Sequence, residues 1–404
     1  MISFLIITFL FGRFLLQARK SELSFFNFEK LLLIWLSFGV ISFISNFRFG
    51  LNTKVAYALV FAMIWQFAWV LTYFGIRTID FSKEQFKRIL TIGLSLGIVL
   101  NGFAIIERIF YKYIQLFLIN FSKNEFIQAN MSLVFNRGYG IGAASYRCVS
   151  FVLEFVTYGY VAGFFSIAFL VLFFSHKKKF FLLGLCISIC ALFLTQTLSA
   201  IFSFFIITAV YFIIFNRLDF RKLFFIASFS LCMLIYSIYS NEQNLFSGTF
   251  KRISDFSHGK DPGQLFHINK FKFSPIDNIS FWGNGLGTGD FLHTHIKKEM
   301  LKRNYVDVEH QYWRILLEFG AFGLTLFILI LFFLMKLLLG IFYSTSDKWL
   351  KSIILIELFW VMQNIIVGFF HRSFPSFSSS IFPSIILAIA IQTINKANSD
   401  PVPA

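Results

Sequence analysis

An all-α polytopic membrane protein is the fold class this sequence predicts, and three observations predict it. Hydrophobic residues fill 57% of the 404 positions against 14% charged, and the mean hydropathy is +0.73. The apolar residues come in blocks long enough to cross roughly 30 Å of hydrocarbon as helices of about 20 residues. Those blocks are continuous and rich in Phe, Leu and Ile, unlike the alternation over ~10-residue segments that marks a transmembrane β-barrel.

In chain order the blocks predict spans at roughly 1–17, 31–47, 55–76, 89–106, 150–174, 180–197, 199–215, 223–239, 312–339, 352–370 and 377–394, about eleven helices. The first block has no basic flank before it, carries Arg13 inside and has no small-x-small cleavage site, so it is expected to remain as a helix. Lys and Arg concentrate in alternate loops: Arg19, Lys20 and Lys30; Arg77, Lys83, Lys87 and Arg88; Lys177 to Lys179; Arg217, Arg221 and Lys222; and Lys348 and Lys351. Basic short loops stay in the cytoplasm. Residues 107–149, the turn near Gln196 and the long loop 240–311 are therefore expected to face outward. The organisation that follows is N-terminal helices over 1–239, a large outer loop over 240–311, C-terminal helices over 312–394, and a polar, Pro-containing tail over 395–404 expected to be disordered.

A net charge of +16 does not point to nucleic acid, because most of the excess lies on the inner loops, where topology and anionic lipid account for it. The outer loop 240–311 is near balance, with nine Lys/Arg against eight Asp/Glu. Of four cysteines, Cys186, Cys190 and Cys232 fall in spans and Cys148 stands alone, so no disulfide framework or metal knuckle is expected. No internal repeat is visible.

Chemistry-bearing residues gather in a few places. His310, Arg314 and Glu318 are spaced i, i+4, i+8 at the outer end of a span, within about 80° of one helix face, with Gln311 on an adjoining line. Polar groups entering a membrane there must be paired or face a wet cavity; an interfacial cap meeting lipid phosphates is the alternative. Arg147 and Glu154, seven residues apart, repeat the pattern on another helix, as either a site or a structural ion pair. Lys251 and Arg252 add cations in the long loop. Gly283, Gly285, Gly287 and Gly289 in WGNGLGTGD lack GxGxxG spacing and a Walker lysine, which leaves two readings. The loop brings backbone N–H groups to a phosphate, or it turns tightly against the bundle. His293 and His295 have no third ligand at recognised spacing.

These residues resemble the bacterial O-antigen polymerase and O-antigen ligase superfamily of membrane glycosyltransferases. The resemblance rests on GNGLGTG, then His310, then YWRILLEFGAFGL over 312–324, which is similar to a helix of form Y-x-x-x-L-x-E-x-G-x-x-G-L. RCVSFVLEFVTYGYV from Arg147 is similar to an arginine-then-S-F-x-x-E segment, and LTQTLSAIFSF from Leu194 to an L-T-x-S-R segment. Two departures stand out: His310 is followed by Gln311 where the ligases have Asn, and Leu198 and Ser199 stand where that second segment carries arginine.

The resemblance implies a helical bundle of the GT-C-like type with its active site facing the periplasm across the bacterial inner membrane. The implied substrate is a glycan on undecaprenyl diphosphate, joined to a sugar hydroxyl. His310 is the implied base and, with Glu318, the catalytic pair. Diphosphate and glycan binding falls to Arg147, Glu154, Arg252, Arg314, Gln311, Arg372, Gly285 and Gly287. Arginine suits a diphosphate because its fork bonds two oxygens at once and stays charged. No metal or cofactor is expected; membrane lipid and a chain-length regulator protein are the expected partners, and nucleic acid is not. The S-F-x-x-E segment and the missing His-Asn and S-R pairs favour a polymerase over a ligase. A transporter or flippase of lipid-linked sugars is the third reading, for which inverted repeats and polar residues spread through the spans are wanting.

Overall fold

The computed structural model describes residues 26–45, 53–110, 155–215, 281–286, 311–369 and 377–399, with Gly12, Phe14 and Leu16. Among them are nine α-helices and no strand: α1 (Asn27–Ser45), α2 (Thr53–Arg77), α3 (Lys83–Ile109), α4 (Phe155–His176), α5 (Lys179–Leu194), α6 (Leu198–Val210, widening into a π turn at Tyr211–Phe215), α7 (Gln311–Ser344), α8 (Lys348–Gly368) and α9 (Phe377–Ser399). Six are long and apolar enough to cross a membrane: α1, α3, α4, α6 with its π turn, α7 and α8. Each of these nine helices overlies one of the spans read from the sequence. The spans expected at 223–239 and, but for three residues, at 1–17 lie outside the described residues, as does all but 281–286 of the loop 240–311 up to Gln311.

The ends of the helices follow from local chemistry. Asp347 caps α8, its Oδ1 accepting the N–H groups of Trp349 at 2.8 Å and Leu350 at 3.3 Å, which satisfies two of the donors a helix start leaves open. Pro383 lies inside α9 and removes one backbone donor, a loss that a packed membrane helix tolerates. The disordered tail expected from residue 395 is corrected: α9 continues to Ser399. Beyond Pro383 its sequence offers no breaker before Pro401, and proline disfavours helix in the residue ahead of it.

The chain forms two compact units, one from Met1–Thr91 with Ser274–Ala404 and one from Ile92–Phe273. Their limits differ from the linear division at 239 and 311, because α1, α2 and the start of α3 meet the last three helices. In the first unit α9 packs along α2, and α7 packs on α1 and α8. Its centre is aromatic. Trp35 of α1 lies 4.7 Å from Phe319, 5.9 Å from Phe67 and 5.8 Å from Phe327, ring centre to ring centre. Lipid tails are as apolar as these rings, so fit and ring geometry hold them together more than exclusion of water does.

At one end of this unit, Glu29 accepts hydrogen bonds from Tyr73 Oη at 2.5 Å, Arg77 Nε at 3.1 Å and the N–H of Phe26 at 2.8 Å. There too Lys83 pairs with Asp347. Three of the five basic loops thus share one end, as the sequence reading places them. In the second unit α4 packs on α5 and α6. Asn101 of α3 accepts from Tyr158 Oη at 3.0 Å and donates to Ser188 Oγ at 2.8 Å.

Candidate functional site at the head of α7

The first nine residues of α7 carry the polar stripe. Gln311, Arg314 and Glu318 are buried there, although the sequence around them is otherwise apolar. Arg314 Nε donates to Glu318 Oε1 at 3.1 Å, and both side chains are fully buried. The i, i+4 spacing puts the two groups on one face, as the sequence predicts. Breaking such a buried pair from one side leaves an uncompensated charge and typically costs about 3–5 kcal/mol. One turn earlier, the amide of Gln311 has neither its oxygen nor its nitrogen hydrogen-bonded among the described residues. A buried amide without a partner is expensive unless a ligand or water completes it. Tyr312, on another face, donates to the carbonyl of Ile365 at 3.0 Å and tethers this segment to α8.

The helix does not run straight into the membrane. At Gly320, φ is 70° and ψ −171°, which breaks α7 into a short first piece and a long second one. The break strips carbonyls near it of their helical donors, and the glycine loop supplies replacements. Asn284 N–H donates to Leu317 O at 2.8 Å and Gly285 N–H to Glu318 O at 2.9 Å. Phe322 N–H, lacking its usual acceptor, reaches Phe281 O at 3.3 Å. Leu286 N–H donates to Ser42 Oγ of α1 at 2.6 Å, which fixes the loop to a third segment.

Both glycines at this crossing are required by shape. A Cβ on Gly320 would lie 2.1 Å from Phe281 O, and one on Gly283 would lie 2.4 Å from Glu318 O; both have positive φ. Backbone packs on backbone, with no side chain that can give way. Of the two readings of the glycine loop, Gly283 and Gly285 realise the tight turn against the bundle. The Gly285 N–H is committed to the Glu318 carbonyl; Gly287 lies outside the described residues.

Around the crossing, Phe38 stacks edge-on against Phe322 at 5.4 Å and lies 5.9 Å from Phe319, while Trp282 lies 5.4 Å from Phe322. Phe281 and Trp282 are exposed, as aromatic residues at a membrane–water boundary commonly are.

Of the residues singled out in the sequence, Arg314, Glu318, Gln311 and Gly285 therefore come together. His310, Arg147, Glu154, Arg252 and Arg372 lie outside the described residues, as do His293 and His295. Glu318 is not a lone acid but the partner that holds Arg314. Leu198 and Ser199, at the arginine-less turn, belong to the second unit, where Ser199 Oγ is 3.3 Å from Tyr160 Oη and Gln196 takes a positive φ of 54°.

Three contributors have little signal in the sequence: Ser42, Trp35 and Gly320. Ser42 is one serine in an apolar run, and its partner is 244 positions away. The break at Gly320 looks in sequence like a small residue within a helix. The arrangement as built is an arginine clamped by a glutamate beside an open amide, at a helix head pinned by a loop, and it can present a fixed cation and a hydrogen-bonding amide to an anionic group. Neither a protein-family model nor a curated protein matches the chain.

Proposed function

We propose that this protein is a membrane glycosyltransferase that polymerises undecaprenyl-diphosphate-linked oligosaccharide repeats on the periplasmic side of the bacterial inner membrane. The observation that carries the proposal is the fully buried Arg314–Glu318 pair beside the Gln311 amide, which has no hydrogen-bond partner among the described residues, on the helix whose sequence resembles that superfamily. Glu318 orients the Arg314 guanidinium, and Arg314 is proposed to bind the diphosphate of the donor. In the reaction an acceptor sugar hydroxyl forms a bond to the anomeric carbon of the donor glycan. The bond from that carbon to the diphosphate breaks, and its electron pair leaves on undecaprenyl diphosphate. The hydroxyl proton is proposed to pass to His310, since an imidazole side chain is suited to accept a proton near neutral pH. Arg147, Glu154, Arg252 and Arg372 are proposed to complete the glycan and diphosphate contacts, with a chain-length regulator as partner.

The second reading is a ligase that transfers the lipid-linked glycan to lipid A-core, with the same leaving group and a different acceptor. The glycans of a deletion strain separate the two. A core bearing one repeat and no ladder is the outcome expected of a lost polymerase. A bare core with lipid-linked polymer accumulating assigns the ligase instead. An unchanged ladder contradicts both.

A further inference from the structure

At the end of the first unit away from the glycine loop, a cavity of about 760 Å³ opens between the start of α1, the last turns of α7, the α7–α8 turn and α9. Its walls are largely apolar, with Phe26, Phe28, Phe333, Leu337 and Ile341 among them, and its charged lining is Lys83, Lys336 and Asp347. Two cations face one anion.

The anion is already committed. Asp347 Oδ2 accepts from Lys83 Nζ, while Oδ1 caps α8. Glu29, next in sequence to the lining residue Phe28, is turned to Tyr73, Arg77 and the N–H of Phe26. Lys336 makes no ion pair or hydrogen bond among the described residues. The hydroxyls of Thr345 and Ser346, also in the lining, have no hydrogen-bond partner there either.

The depth of Lys336 makes this matter. It precedes Ser344, the last residue of α7, by eight positions, or about 12 Å of helix at 1.5 Å per residue. Phe332, one turn before it, is 57% exposed, and Tyr343, two turns after it, is 69% exposed. Positions i−4 and i+7 share the face of i, so apolar exposed surface continues past the lysine on both sides. No other residue of α7 after Glu318 is charged. An ammonium placed within an apolar belt calls for an anion, and among the described residues the one acid lining the cavity, Asp347, is already paired. The bilayer carries one in its headgroups.

We propose that this cavity binds the phosphate of an anionic membrane phospholipid. Lys336 neutralises the phosphate, Thr345 and Ser346 donate hydrogen bonds to its oxygens, and the first carbons of the acyl chains lie against Phe333 and Leu337. A lysine stem is apolar over four carbons, so Lys336 reaches the headgroup while its stem stays with the acyl chains. A soluble phosphate offers the same oxygens but nothing for the apolar walls, and the lipid is therefore the favoured source. The site stands independently of the glycosyltransferase proposal, since it uses none of that site's residues.

The test is native mass spectrometry of the full chain in detergent, with phosphatidylglycerol and phosphatidylcholine of matched acyl chains. Selective retention of phosphatidylglycerol is expected, falling roughly tenfold in Lys336→Gln and kept in Lys336→Arg. Lys178→Gln, in the second unit, serves as the charge control and leaves retention unchanged. Should Lys336→Gln fail to fold, the pair Thr345→Val with Ser346→Ala carries the test, with a loss of several-fold expected. Equal retention of the two lipids, or retention unaltered by the lining variants, overturns the site. Displacement of phosphatidylglycerol by inorganic phosphate, but not by chloride at equal ionic strength, overturns the lipid as occupant and assigns the cavity to a soluble phosphate.

Discussion

Arg314 and Glu318 illustrate what a single residue does here. Each alone would be a charge in an apolar helix; together, at 3.1 Å and out of solvent, they neutralise one another. Replacing Glu318 with Gln keeps shape and removes the compensating charge. Thermal unfolding in detergent is expected to show Glu318→Gln destabilised by about 3 kcal/mol, the lower range for a buried pair broken from one side. The paired change Arg314→Met with Glu318→Leu is expected to recover most of that stability, because apolar replacement of a whole buried pair is often neutral. Equal instability of the single and paired variants would show that the pair is not the unit.

Gly320 makes the complementary case for backbone. Gly320→Ala brings a Cβ to 2.1 Å from Phe281 O at a positive φ, and strained backbone of that kind costs about 1–3 kcal/mol before the clash is added. Gly340→Ala is the matched control. Nothing lies within 4 Å of its added Cβ, and alanine gains about 1 kcal/mol over glycine inside a helix. A lower melting temperature for the first and an unchanged or higher one for the second are expected; the reverse order would remove the crossing from the account.

At the scale of elements, the helices were legible and their joints were not. Length and apolarity of the blocks suffice to place α1 to α9, since each block closes its own backbone hydrogen bonds and needs no partner to do so. A joint depends on distant chain. The break in α7 is held by carbonyls, N–H groups and a serine that are tens to hundreds of positions apart, and EFGAFG carries no local mark of it. The pairing of Arg314 with Glu318 was legible because it is local, at i and i+4. The Glu29, Tyr73 and Arg77 network was not, its partners being 44 and 48 positions apart.

The start of α8 offers a test at this scale. The Lys83 contact, with the capped N–H groups of Trp349 and Leu350 adding to it, holds the Asp347 carboxyl below its ordinary value. A carboxyl whose pKa is depressed on folding contributes stability above its unfolded value, near 3.9 for Asp, and that contribution fades as the pH falls through the folded value. Asp347→Asn is thus expected to melt lower than wild type from neutrality down to about pH 4. Below that the gap should close; a gap that widens in acid would contradict the pairing.

For the whole molecule, three basic loops brought to one end and a glycine loop at the other define an axis through the first unit, and the basic end is read as cytoplasmic. Cysteines introduced at Ser257 and Gly289 are expected to react with a membrane-impermeant thiol reagent from the periplasm, and one at Lys178 to stay unlabelled. Labelling at Lys178 would invert the orientation. The two proposed sites lie toward opposite ends of this axis, Gln311 to Glu318 at the start of α7 and Lys336 in its last turns.

The most direct test of the central claim is turnover of an undecaprenyl-diphosphate-linked repeat by the purified protein in liposomes, with wild type, Arg314→Lys and His310→Ala compared at equal incorporation. Lysine keeps the charge of Arg314 but not the planar fork, and loss of a general base costs 10²–10⁴-fold. Wild type is expected to build polymer with EDTA present. Arg314→Lys should lose most of that rate, and His310→Ala about a hundredfold or more. Polymer made at the wild-type rate by both variants, or by none of the three proteins, would contradict the assignment.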